Sequence, residues 1–118
     1  MSYDISLIDQ VSGETIELDE PHHMRGGTYA VGGCIRASLN ITYNYAEHYY
    51  RVFGEGGVRS IYGKTGAESV PVLKSAIAQL GDDVDDDYWE PTEGNAKRAL
   101  AQLLALARMR PDGVWAGD

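Results

Sequence analysis

The hydrophobic period changes at Tyr43, and that change limits what the chain can fold into. Ile35, Ala37, Leu39, Ile41 and Tyr43 alternate with Arg36, Ser38, Asn40, Thr42 and Asn44. Alternation at period two is the pattern of a strand with one buried and one wet face. Directly afterwards Tyr45, Tyr49 and Phe53 recur at four-residue spacing, the stripe of a short helix over "YAEHYYRVF" that Asn44 can cap and Gly54 can end. A strand leading straight into an amphipathic helix calls for a sheet with helices laid against it.

The rest of the chain agrees. "ISLID" and "ETIEL" read as two strands of an N-terminal hairpin around a turn at Gly13, with Ile5 and Leu7 facing Ile16 and Leu18. "DEPHHMRGG" reads as a loop, and the extended pattern runs on from residue 28. "GGVRSIYG" reads as a further strand, and "AESVPVLKSAIAQLG" as a helix starting near Ser69 with Pro71 in its first turn. The longest helix spans about residues 93–109, capped by Thr92 and stopped by Pro111, with Ala96, Leu100, Leu103, Leu104 and Ala107 as its apolar stripe. Trp115 should dock back onto the fold. Strands first and helices last predict an α+β fold of one domain over residues 1–118: a small antiparallel sheet packed by two or three helices. The first prediction for its core is that Ile35, Leu39 and Ile41 are buried beside the Leu100–Leu104 stripe.

Charge narrows the function. With 18 acids against 10 bases the net charge is −8, which speaks against gripping nucleic-acid phosphates directly and suits a basic protein surface. The acids are also segregated. Asp82, Asp83, Asp85, Asp86, Asp87, Glu90 and Glu93 form a run without one base, the mark of a solvated loop or a docking face. No apolar run reaches the ~18 residues of a membrane span. The start "MSYDISLID" is acidic where a signal peptide is basic, and the lone Cys34 suits a reducing compartment, so the cytoplasm is expected.

Several motifs fail on their own chemistry. Gly63-Lys64-Thr65 ends like a phosphate-binding P-loop, but the required glycine five places earlier is Val58. The aspartates from Asp83 fit the first positions of a calcium loop, but Tyr88 replaces its glycine and Gly94 its final glutamate. His22, His23, His48 and Cys34 lack metal-ligand spacing, and Ser38, Ser60 and Ser69 lack a nucleophile elbow. No metal, no cofactor and no enzyme activity is therefore expected.

The polar and aromatic residues left over could hold a small phosphorylated, aromatic ligand. Tyr43, Tyr50 and Tyr62 offer rings, Asn40 and Asn44 offer amides, and Arg36, Arg51, Arg59 and Lys64 offer charge. Asn95, Lys97 and Arg98 lie in the first turns of the last helix, where free N–H groups attract anions. Tyr45 and Tyr49 are assigned to the core.

The runs "LNITYNYAEHYYRVFGEGGVRSIYGKTGAESVPVL" and "TEGNAKRALAQLLALARMRPDGVW" resemble small uncharacterised proteins encoded in bacteriophage and prophage genomes, over about residues 25–118. The resemblance implies a small phage accessory protein working in the host cytoplasm, of the kind that binds a component of host defence. Two binding modes follow as expectations. One is sequestration of a nucleotide-derived small molecule at the residues above. The other is an acidic inhibitor of nucleic-acid-mimic type, acting through Asp82, Asp83, Asp85, Asp86 and Asp87. An enzyme acting on a nucleotide is the third, and a homodimer is the default assembly.

Overall fold

A computed structural model describes residues 1–22 and 34–118. Among the described residues, five strands and three helices follow in the order β1 (Ser2–Ile8), β2 (Glu17–His22), β3 (Cys34–Arg36), β4 (Ser38–Thr42), α1 (Ala46–Phe53), α2 (Gly66–Ala78), α3 (Glu93–Met109) and β5 (Val114–Gly117). The fold is α+β, and α3 is its longest helix. Among the described residues no helix is long and apolar enough to cross a membrane.

The main sheet has the order β4-β1-β5 and is antiparallel throughout. β1 lies at its centre because Tyr3, Ile5 and Leu7 alternate onto one buried face, and both neighbours present matching residues: Leu39 and Ile41 from β4, Trp115 from β5. The N-terminal reversal is present. Asp9 accepts from the Val11 and Ser12 amides at 2.8 and 2.9 Å, Gly13 takes φ 74°, and Ile8 bridges Thr15. Past that bridge β2 leaves β1 and pairs with β3 in a separate two-stranded ribbon.

The ribbon corrects one expectation. The chain bends at Ala37, so β3 does not continue the face of β4; Leu39 and Ile41 are buried, but Ile35 is 39% exposed on a ribbon too small to cover it. Residues 28–33 of that expected strand, and His23, lie outside the described residues.

A second correction concerns "GGVRSIYG", which is no strand. Gly56 and Gly57 take φ 91° and 57°, a left-handed entry that winds residues 57–61 into a 3-10 turn. Val58 and Ile61, three apart, then fall on one side and are fully buried.

Helix α2 begins earlier than expected, at Gly66. Thr65 caps it in a reciprocal box: its hydroxyl accepts from the Glu68 amide at 3.1 Å and the Glu68 carboxylate accepts from the Thr65 amide at 2.9 Å. Pro71 therefore lies inside the helix. α2 and α3 pack together over the sheet, burying Leu73, Ala76, Leu100, Leu103, Leu104 and Leu106, each leucine stabilising the fold by ~1.5–3 kcal/mol. Trp115 closes this core, 1% exposed, and its indole N–H donates to the buried Ser69 hydroxyl at 2.7 Å.

Candidate functional site

Two groups of side chains stand out, and the residues expected to hold a ligand divide between them and the rest of the surface. The first group gathers at one end of the main sheet. Tyr43 follows β4, Arg59 and Tyr62 come from and just after the 3-10 turn, and Tyr3 comes from β1. The Arg59 guanidinium carbon lies 4.8 Å from the Tyr3 ring centroid and 5.6 Å from that of Tyr43. It donates to the Tyr43 hydroxyl at 3.0 Å and to the Asp118 backbone oxygen at 2.7 Å. The rings of Tyr3 and Tyr43 meet edge-on at 4.5 Å. Burial pushes the Tyr62 phenol up to about 12. Burial, then the charge of a neighbouring Tyr50 phenolate, raises Tyr3 as well. Tyr50 itself is 49% exposed, its ring laid flat enough on Gly57 that a Cβ there would come within 3.2 Å.

So Tyr43, Arg59 and Tyr62 do come together, with Tyr50 at their margin. Tyr3 completes the group and was not among the expected residues, although its alternation with Ile5 and Leu7 marked it as inward-facing. The arginine's hydrogen bonds recorded there go to the chain's own oxygens, Tyr43 and Asp118.

The second group is the acidic run. Residues 81–92 lie across the start of α3, and the contact is close: a Cβ on Gly94 would stand 2.6 Å from the Asp83 carbonyl carbon. Asn95 is the anchor. Its side-chain oxygen accepts from the Asp85 amide at 3.1 Å, and its amide nitrogen donates to the Asp87 and Glu90 carbonyls, both at 3.1 Å. The region around α1 holds the other side of the loop: the Tyr45 hydroxyl donates to the Tyr88 carbonyl, the Asn44 amide to that of Trp89 at 2.8 Å, and His48 to that of Pro91 at 2.7 Å. These bonds all use loop backbone. The aspartates of the run are exposed all the same: Asp82, Asp83, Asp85, Asp86 and Asp87, with Val84 and Trp89 beside them 53% and 46% exposed.

The remaining expected residues scatter. Arg36 reaches Thr15 on the ribbon at 3.4 Å, Asn40 ties β4 to Ser2 and Asp4 on β1, and Arg51 pairs with Glu93 at 3.0 Å. Arg98 is exposed on α3, and Lys64 lines a separate trough beside α2. Asn95, expected to face a ligand at the start of α3, is 2% exposed and spent on the loop.

The starts of α2 and α3 are occupied by the chain's own groups. At α3 the Gly94 amide donates to the Asp83 carboxylate at 3.2 Å, the Asn95 amide to the Thr92 hydroxyl at 3.1 Å, and Lys97 pairs with Asp82 at 2.6 Å. At α2 the Gly66 and Ala67 amides donate to the Gly113 and Pro111 carbonyls at 2.8 and 3.1 Å. The chain's own carboxylates and carbonyls thus fill the positions a phosphate would take. Among the described residues no three His, Cys, Asp or Glu side chains cluster closely enough to hold a metal ion. No protein-family model, no curated protein and no solved structure matches the chain.

Proposed function

We propose that the protein is a non-enzymatic binder that covers a basic surface of another protein with its acidic loop. The observation that carries this reading is the division of labour within residues 82–90. The loop's backbone is stitched to Asn95, Asn44 and Tyr45, while its five aspartates stay exposed beside Trp89, even though Asp82, Asp83, Asp85 and Asp87 each turn one oxygen to Lys97 or to a backbone amide. A pre-ordered loop loses less conformational entropy on docking, its charges steer a basic partner, and an exposed tryptophan gives an anchor. The phage resemblance supplies the setting: an accessory protein in the host cytoplasm, blocking a nucleic-acid-binding face of a defence protein.

A second reading rests on the tyrosine–arginine group. Tyr43, Arg59 and Tyr62 converge beside the exposed Tyr50 ring, which favours stacking of a planar, nucleotide-derived molecule at that edge.

Pull-down from host lysate separates the two. Wild-type protein should retain basic proteins, and a variant with Asp85, Asp86 and Asp87 replaced by Asn should release them while melting normally. Equal recovery by both would sink the acidic-loop reading. A nucleotide that raises the melting temperature of wild type and not of Tyr50→Ala would favour the second.

A further inference from the structure

The Gly63-Lys64-Thr65 run, a failed P-loop, belongs to neither group above, yet it delivers a cation to an apolar hollow. A trough of about 390 Å³ lies between the end of α1 and the first half of α2, walled by Val52, Phe53, Pro71 and Val72, with Lys64, Ser60 and Ser75 adding the polar groups. We propose that this trough binds a small hydrophobic acid: an aromatic or branched aliphatic body against the valines and Phe53, and a single carboxylate on Lys64.

Four observations lead there. The volume suits a small ligand, and an apolar wall with few polar groups is the usual make-up of such a site. Lys64 is half-buried and enters no ion pair among the described residues. Its acidic neighbour Glu68 is committed to the Thr65 amide, whose hydrogen bond, ahead of the Lys64 charge, holds that carboxyl below its ordinary range. The root of the lysine is fixed, because its amide donates to the Ile61 carbonyl at 3.0 Å and its carbonyl accepts from Trp115 at 2.9 Å.

The same geometry selects the charge of the ligand. A phosphate needs several converging N–H groups, and those at the start of α2 already serve residues 111 and 113. One ammonium on a protein of net charge −8 suits one carboxylate and disfavours a multiply charged anion. This inference stands apart from the acidic-loop reading, which does not involve Lys64.

The test is amide-resolved NMR titration with 2-naphthoate, run beside its neutral analogue 2-naphthalenemethanol. Naphthoate should shift the amides of Val52, Phe53, Lys64, Val72 and Ser75 and bind more tightly than the alcohol. Lys64→Met should weaken naphthoate by about three- to fivefold, the scale of a half-exposed ion pair, and leave the alcohol unchanged. Lys64→Arg should retain most of the binding. Ser75→Asp, at an exposed helical position, should weaken naphthoate too and gives a second reading should Lys64→Met fold poorly. Shifts elsewhere, equal affinity for acid and alcohol, or indifference to both weakening variants would overturn the proposal.

Discussion

Tyr49 and Tyr50 are adjacent in sequence and opposite in fate. Tyr49 is fully buried, and its hydroxyl donates to the Ala96 carbonyl at 3.0 Å; Tyr50, a helical step of about 100° further round, is 49% exposed. Truncation of Tyr49 to Ala should therefore cost roughly 3–5 kcal/mol in denaturant titration, the scale for a large core aromatic. Tyr50→Ala should leave stability nearly unchanged and weaken only a ligand stacked at that edge. Titration separates the tyrosines as well. Burial first, and then the nearby acidic groups, push the phenols of Tyr45 and Tyr62 up to about 12 from an ordinary 10.0. A phenol that ionises later in the folded chain than in the unfolded one stabilises the fold fully below pH 10.0 and loses that contribution as pH rises toward about 12. Melting temperatures should thus fall across this window, and Tyr45→Phe should flatten the fall. A Tyr45→Phe protein as alkali-sensitive as wild type would show that Tyr45 does not contribute to it.

At the level of elements, the start of α3 is a joint between helix and loop. Gly94→Ala would drive a Cβ to 2.6 Å from the Asp83 carbonyl carbon and 2.7 Å from the Val84 nitrogen, both rigid backbone. The loop must then lift away, and hydrogen exchange at the amides of Asp85 and Asp87 should speed up while α3 stays protected; unchanged exchange would mean the joint can absorb a methyl group. This joint shows where sequence reading stops. Local signals gave α3 with its stripe and its Thr92 cap, and they carried the inward face of β4; they gave α1 its stripe but not its cap, since Asn44 spends its side chain on the Trp89 carbonyl and Thr42 caps the turn before the helix. Thr65 and Glu68 also spelled a capping box, so the true start of α2 was readable and was obscured by Gly66. What periodicity cannot give is the partner of a face. Nothing near Val114 announces that β5 pairs with β1, and nothing near Asn95 announces three loop backbone groups converging on its amide. The same limit explains the scatter of the expected ligand residues. Arg36 and Tyr43 share a stretch of sequence, yet the bend at Ala37 leaves Arg36 on the ribbon and Tyr43 just past the main-sheet strand β4.

For the whole molecule, the distribution of charge predicts how binding responds to salt. Ion pairs at an interface rim are screened within ~8 Å at physiological ionic strength. Partner capture through the acidic loop should therefore weaken as salt rises from 50 to 500 mM, chiefly through slower association. Surface-binding kinetics of the captured partner would measure this, and a salt-independent on-rate would argue that Trp89 and Val84, and not the aspartates, dominate. A different consequence follows from the sheet. Its middle strand, β1, precedes β5, which pairs with Ile5–Ile8 on one side of it, by nearly the whole length of the fold. On the ribosome, Leu7 and the Ser69 hydroxyl must wait for Trp115 through the synthesis of almost everything between them. The helices and the β1–β4 pairing can form early, but the β1–β5 pairing joins residues more than a hundred apart, so one side of β1 lies open until β5 has been made.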